Sequence, residues 1–313
     1  MEFLRPRGLT EALEAKSANA DALPIAGGTD VMVELNFARR RPPALLDLSD
    51  VAELTGWSVV GDRLRVGAGV TYAELTGERW GKAGNALGDG NSAELGRRLP
   101  GLAIAARTVG SPQIRNRGTI GGNLGSASPA GDCHPSLLAA AAEVEVVSVR
   151  GSRMIGIDEF FTGVKRNALA SDELVAAVWI RQPAGPEQFA KIGTRNAMVI
   201  AVAAFALALH PDRASVGTGI GSAAPTPVRA ADAETFLAGA LDEAGLWESR
   251  GPLPDSVVAE FGSLVSAAAR PIDDVRGTAA YRRHSLAILA KRTLTWAWQD
   301  FRAGGMEGNG SCG

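Results

Sequence analysis

The 313-residue chain is 46% hydrophobic and 21% charged, with 32 basic and 34 acidic residues and a formal net charge of -2. That is ordinary globular material for two or three modest domains, and with no basic face or basic run it gives no electrostatic basis for binding nucleic acid. Only Cys133 and Cys312 are cysteines, so the chain lacks the four thiolates of a standard iron–sulfur cluster.

The N-terminal stretch MEFLRPRGLTEALE carries charges and a proline where a signal peptide needs an apolar core. The most apolar run, 197–209, is too short to cross a bilayer. A soluble, cytoplasmic chain with no membrane partner is expected.

Residues 1–56 read as a helix from Leu9 to about Ser17, a buried strand, a second helix, and a strand ALLDLS at 44–49. Between the first strand and the second helix lies PIAGGTDV, Pro24 to Val31. The helix candidate VMVELNFARR has Val31, Leu35 and Ala38 at helical spacing, and Arg39-Arg40-Arg41 closes it. Strand, Gly27-Gly28 loop and a helix start near Asp30 together aim backbone donors and a helix dipole at an anion. No GK[ST] follows, so this is not a P-loop.

From Trp57 the pattern alternates, and Gly61-Asp62 between Val59 and Leu64 signals a hairpin. Helices are expected at Tyr72–Leu75 and over 92–106, followed by a long loop from Arg107 to Pro135. Loops of that length in compact domains are uncommon and often functional, and Val109, Ile114, Ile120 and Leu124 anchor this one. Gly121 and Gly122 are suited to positive φ and close backbone approach. With the hydroxyls of Thr119, Ser126 and Ser128 they outline a second anion cradle. A tight packed turn is the plainer reading of any single Gly-Gly pair. Two cradles in one chain favour two linked phosphates, hence a dinucleotide.

Asp132-Cys133-His134 offers metal-ligand chemistry, but adjacent side chains rarely converge on one ion and no second ligand cluster exists. A helix over 136–142 and a hairpin with Val144, Val146 and Val149 before Arg150-Gly151 complete this part. Strands and helices segregate in blocks, which predicts an α+β fold.

A domain boundary is placed in 182–186. Beyond it, strands are expected at 188–192, 200–209 and 215–220, and helices at 229–238, 254–269 and 278–301. Gly217, Gly219 and Gly221 spell GTGIG, but the third glycine comes one position early and prolines occupy the place of the helix start. The segment therefore reads as a strand end and turn. The Gly-rich tail from 302 to 313, with Cys312, is expected to be flexible.

With both cradles in view, PIAGGTDV and QIRNRGTIGGNLGSASPAGD resemble the two FAD-binding motifs of the molybdenum hydroxylases, in the medium subunit of the xanthine dehydrogenase and carbon monoxide dehydrogenase family. KIGTRNAMVIAVA (191–203), APTPVRAADAETFLAG (224–239) and YRRHSLAILAKRTL (281–294) extend the resemblance along nearly the whole chain. It implies two α+β subdomains (1–56 and 57–182) that clasp FAD in a vanillyl-alcohol-oxidase-like fold. A C-terminal α+β domain (183–301) with a small antiparallel sheet and helices follows. It also implies a hetero-oligomer with an iron–sulfur subunit and a large molybdopterin-binding subunit, which carry the other cofactors.

By position, the resemblance implies that Pro24, Ile25, Ala26, Gly27, Gly28, Thr29, Asp30 and Val31 wrap the pyrophosphate and ribityl region. Thr119, Ile120, Gly121, Gly122 and Asn123 form a second wall, and Asp132 reaches a cofactor hydroxyl. Val109, Val175 and Lys191 neighbour the FAD, although composition alone leaves Lys191 a solvated charge beside a strand. Gln113, Arg115 and Asn116 fit the motif and could serve only to brace the loop. The chain departs from the family where Ala197-Met198-Val199-Ile200-Ala201 replaces an acidic residue, and at Cys133-His134.

No His or Cys stands where it could tether the flavin, so non-covalent FAD is expected, and no side chain is assigned as a general acid or base. The leading reading is an electron-transfer flavoprotein subunit passing electrons to NAD, oxygen or a quinone. The alternatives are an independent NAD(P)H-dependent flavin oxidoreductase, hinted at only by GTGIG, and a cofactor-free structural subunit, which eroded cradles would mark.

Overall fold

The computed structural model describes residues 1–77 and 92–304. The chain forms two compact units that interleave along the sequence. The first comprises Met1–Arg97, Val109–Ser128 and Ala142–Arg181, and the second Arg98–Thr108, Pro129–Ala141 and Gln182–Gly313. Both mix helices with sheets, as the α+β expectation requires.

In the first unit the strands Glu2–Leu4, Ala44–Asp47 and Leu23–Ile25 form a parallel sheet in that order. Ala12 of the helix Leu9–Ala18 packs with Ala44, Leu46, Val51 and Leu54 in its core. Lys16 ends that helix by donating from Nζ to the carbonyls of Ala20 and Ala22, at 2.6 and 2.7 Å, so a buried ammonium satisfies carbonyls near the helix end.

An antiparallel five-stranded sheet follows, in the order Trp57–Val60, Arg63–Gly67, Leu174–Arg181, Glu143–Ser148, Gly151–Gly156. Gly61, at φ +63°, makes the tight turn of its first hairpin. Val66, Val144 and Val178 lie on its buried face, while Arg65 forks onto Glu145 on the other.

The second unit is built on the antiparallel sheet Glu187–Ile192, Ala203–His210, Ser215–Gly221. Alternation along the central strand explains its two covered faces. Phe205, Leu207 and Leu209 pack with Leu237, Phe261, Leu286 and Leu294 of the helices Ala231–Glu243, Asp255–Ala268 and Ala279–Arg302. On Ser215–Gly221, the positions alternating with Val216 and Ile220 are glycines, which let the helix Cys133–Ala139 approach the sheet backbone. A Cβ on Gly219 would stand 2.0 Å from the carbonyl oxygen of Pro135, and one on Gly217 2.0 Å from that of Ala139.

Several expectations are corrected. The stretch 107–135 is not one long loop: it holds the helices Pro112–Arg115 and Ile120–Ser126 and the start of Cys133–Ala139. Their caps, Ser111 and Thr119, accept from the backbone N–H groups of Ile114 and Gly122, a signal hidden among the many small polar residues there. The helix expected over 92–106 is two, Ser92–Arg98 and Pro100–Arg107, because Pro100 starts a new one. The helix after the first Gly-Gly pair stops at Asn36 with no buried residue, and Ala38 turns left-handed at φ +52°. The flexible-tail expectation falls largely on 305–313, outside the described residues.

Candidate cofactor site

The first glycine segment begins where the strand Leu23–Ile25 ends. Gly28 takes φ +75°, a conformation that glycine adopts at little cost, and turns the chain into the helix Val31–Asn36. Asp30 is the N-cap and makes no side-chain cap bond, so the first-turn N–H groups have no side-chain partner from it. Gly27 has a different reason to be glycine: a Cβ there would stand 1.7 Å from the carbonyl oxygen of Arg117. The two glycine segments, ninety residues apart in sequence, are thus packed backbone to backbone within the first unit.

The second segment is held by a run of main-chain bonds. Tyr72 N–H donates to the Gly118 carbonyl at 3.0 Å, Ile120 N–H to Val70 at 3.0 Å and Gly121 N–H to Ala68 at 2.8 Å. Thr71, the N-cap of Tyr72–Leu75, completes a capping box with Glu74 and bridges Thr119. Gly121 and Gly122 do not take positive φ; they lie in the first turn of Ile120–Ser126. Gly121 is pressed on Ala68, whose Cβ lies 2.5 Å from the position a Cβ would take. Gly122 is exposed, with only Thr119 Oγ1 near, at 3.0 Å.

Thr119 Oγ1 accepts from Gly122 N–H and Ser126 Oγ donates to the Asn123 carbonyl. The side-chain oxygen of Asn123 is buried with no hydrogen-bond partner among the described residues. Val109, half-buried, and Val175, buried opposite Val146 beside a register shift, belong to this same unit.

Asp132 and Lys191 lie in the second unit, and Lys191 is no solvated charge. Its Nζ donates to Asp132 Oδ2 at 2.6 Å, to the Thr108 carbonyl at 2.8 Å and to the Val199 carbonyl at 3.2 Å. Thr108 Oγ1 also donates to Asp132 Oδ2, at 3.2 Å. Burial pushes the Asp132 carboxyl above its usual range, opposed by the Lys191 ammonium and by these hydrogen bonds. Its other oxygen, Oδ1, is buried with no partner among the described residues.

Cys133 and His134 are fully buried in the helix that follows Asp132. Burial raises the Cys133 thiol well above the ordinary cysteine range, which disfavours the reactive thiolate. Among the described residues no group of three or more His, Cys, Asp or Glu could hold a metal ion, and no helix is long and apolar enough to cross a membrane. The GTGIG segment lies in a paired, buried antiparallel strand and ends it, as the strand-end reading expected, while the turn begins only after Gly221.

Sequence reasoning missed Thr108, Tyr72 and Arg117. Tyr72 and Arg117 contribute through the backbone, and Thr108 through its carbonyl and a hydroxyl bond to Asp132 across 24 residues, which no residue-type pattern announces. The Thr71-to-Glu74 capping box was the one local signal available for the segment that braces the second glycine pair.

In the first unit two interlocked glycine segments and the unpartnered Asn123 oxygen form a cofactor-type site, and the second unit is a helix-backed antiparallel sheet. Residues 1–183 match the family described as FAD binding domain in molybdopterin dehydrogenase, and residues 188–297 match the CO dehydrogenase flavoprotein C-terminal domain. The chain belongs to this family of FAD-binding subunits of oxidoreductases, the xanthine and carbon monoxide dehydrogenase family. It is 31% identical to the nicotine 6-hydroxylase medium subunit of Paenarthrobacter nicotinovorans, over 95% of this chain and 97% of that one. It is 33% identical to the nicotinate dehydrogenase FAD-subunit of Eubacterium barkeri, over 76% and 80%. A crystal structure of Cu,Mo-CO dehydrogenase superposes with a TM-score of 0.82 at 25% identity, covering 96% of this chain and 98% of that one.

The residues present fit FAD. The first-turn N–H groups beside Gly28 suit a diphosphate. The unpartnered oxygens of Asn123 and Asp132 are acceptors of the kind that ribityl or ribose hydroxyls satisfy.

Proposed function

We propose that the chain is the flavin-bearing electron-transfer subunit of a molybdenum-dependent hydroxylase or dehydrogenase. In this reading it takes electrons from an iron–sulfur partner and delivers them to an acceptor such as NAD, oxygen or a quinone. The carrying observation is the interlock of the two glycine segments, in which Gly27 has no room for a side chain against Arg117. Both glycine segments are intact in sequence, whereas eroded ones would mark a cofactor-free structural subunit.

Bound FAD supplies the redox chemistry, exchanging electrons singly or in pairs. The protein's part is to bind and orient it and to tune its potential. Pro24 to Val31, Thr119 to Asn123, Val109, Val175, Asp132 and Lys191 are the proposed cofactor contacts. An Asp132 carboxylate held by Lys191 and Thr108 offers Oδ1 as acceptor to a cofactor hydroxyl.

The scarcity of cysteines supports a division of labour in which the clusters and the molybdopterin reside on two other chains of a cytoplasmic hetero-oligomer. The subdomains 1–56 and 57–182, the domain 183–301 and a flexible tail belong to the same proposal.

The test is the flavin content of the protein co-purified with its cysteine-rich and molybdopterin-binding partners. One FAD per copy of this chain is expected, all of it released to the supernatant on acid denaturation. Absence of flavin, or colour retained on the pellet, would overturn the assignment or its non-covalent character respectively.

A further inference from the structure

The segment YRRHSLAILAKRTL has no part in the proposed cofactor contacts, yet it carries Arg282, a guanidinium only 1% exposed in the second unit. A charge so buried must be compensated and hydrogen-bonded. Nη2 pairs with Asp274 Oδ1, and Asp274 is in turn held by Arg276 Nη2 at 2.6 Å. Nη1 does something less common: it donates to two carbonyls on different strand ends, Val202 at 2.9 Å and Ser222 at 2.6 Å.

Those carbonyls lie just beyond the last rungs of the sheet. Ile192 pairs with Ala203 and Ala204 with Gly221, so Val202 and Ser222 are the next residues out along neighbouring strands. Ser222 turns left-handed there, at φ +60°. Its N–H donates at 2.9 Å to the carbonyl of Pro129, three residues before Asp132. Val202 N–H donates at 2.7 Å to the carbonyl of Ile192, the residue after Lys191, and so closes the loop whose Val199 carbonyl accepts from Lys191 Nζ. Arg276 Nη1 reaches the Ala201 carbonyl from the same cluster. One guanidinium therefore anchors both arms of the ion pair, the Asp132 arm through Ser222 and Pro129, and the Lys191 arm through Val202.

We propose that Arg282 is a positioning residue for the cofactor, fixing the Asp132–Lys191 pair so that Asp132 Oδ1 is presented for hydrogen bonding. This rests on the FAD reading above. A lysine at 282 keeps the charge but loses the planar fork that spans two carbonyls and a carboxylate at once. The effect passes through Asp132, so it vanishes once Asp132 no longer offers a carboxylate. A change that merely weakened the domain would instead add to the loss at Asp132.

The experiment uses the full chain, freed of flavin and titrated with FAD, for Arg282→Lys, Asp132→Asn and the double variant. Asp274→Asn, which loosens the guanidinium from its more exposed side, stands in if Arg282→Lys does not fold. Arg229→Met, which breaks the Arg229–Glu234 pair elsewhere in the unit, is the stability control. Arg282→Lys should weaken FAD binding about tenfold. The double variant should match Asp132→Asn within about twofold, and Arg229→Met should stay within about twofold of wild type.

In flavin-free protein, amide exchange at 130–132 and 193–202 should quicken in Arg282→Lys and not in Arg229→Met. Additive losses, unchanged affinity in Arg282→Lys or Asp274→Asn, or unchanged exchange would each overturn the proposal. Wild-type protein that fails to bind FAD would overturn the flavin reading, while the exchange arm still decides whether Arg282 anchors the pair.

Discussion

Gly27 and Arg117 meet so closely that a Cβ on the glycine would stand 1.7 Å from the arginine's carbonyl oxygen. The contact is backbone against backbone, so no rotamer change can relieve it. It joins the strand–loop–helix at the N-terminus to the segment Gly118 to Gly121, itself bonded along Ala68 to Tyr72. The backbone of one segment is thus set by the position of the other.

This contact separates two glycine substitutions that look alike in sequence. Gly27→Ala forces the segments apart and should cost about 1–3 kcal/mol of stability or more, together with flavin binding. Gly122→Asp adds a side chain where only Thr119 Oγ1 is near, so the fold should survive. A carboxylate about 4 Å from a phosphate repels it by between ~1 and ~4 kcal/mol as the effective dielectric falls from 80 to 20. FAD should then bind roughly tenfold or more weakly. Thermal melts and flavin titration of both variants check the contrast, and a stable Gly27→Ala with full flavin would contradict it.

The glycines of the GTGIG strand should behave in the opposite way. Gly219→Ala places a Cβ 2.0 Å from the Pro135 carbonyl oxygen and should lower the melting temperature by roughly 3–10 °C. FAD affinity of the folded fraction should remain within about twofold of wild type. Loss of flavin with an unchanged melt would place a dinucleotide on this strand after all.

Glu187 predicts a pH dependence. It is buried at the start of its strand, accepts from Gly101 N–H at 3.0 Å, and burial pushes its carboxyl up to about 7. The unfolded chain ionises this group near its ordinary value of 4.5 while the folded chain keeps it protonated. Stability therefore falls as pH rises from about 4.5 to about 7, and is flat beyond, as far as this group is concerned. Glu187→Gln keeps an acceptor for Gly101 and removes the titration. It should be the more stable protein above neutrality, by up to about 3 kcal/mol, and indistinguishable from wild type near pH 4. Urea melts across that range decide the matter; a constant difference at every pH would mean that Glu187 does not titrate in this way.

Local patterns in the sequence carried much of the architecture. Gly61-Asp62 between alternating apolar residues specified a hairpin, and three helix-period runs after residue 229 specified the helices that back the last sheet. PIAGGTDV marked a strand, a turn and a helix start, because a Gly-Gly between a β-rich run and an N-cap residue has few other conformations. The same local logic misjudged 107–135, where short capped helices look like loop because each has too few residues to display a period.

Tertiary structure decided what the sequence could only list. Gly27 and Gly28 are identical in type, yet one is glycine for a contact ninety residues away and the other for its own φ. Lys191 is an ordinary strand-edge lysine by composition, and becomes a buried partner of Asp132 because Thr108, Asp132 and Val199 are brought to its ammonium from three separate parts of the chain. Arg282 is one arginine of a basic helix start until two strand ends present it with unpaired carbonyls. Spacing in a sequence encodes helices, strands and turns, since those forces act within a few residues. Close approach, burial and charge pairing act across any separation, so they are settled only when the chain has folded.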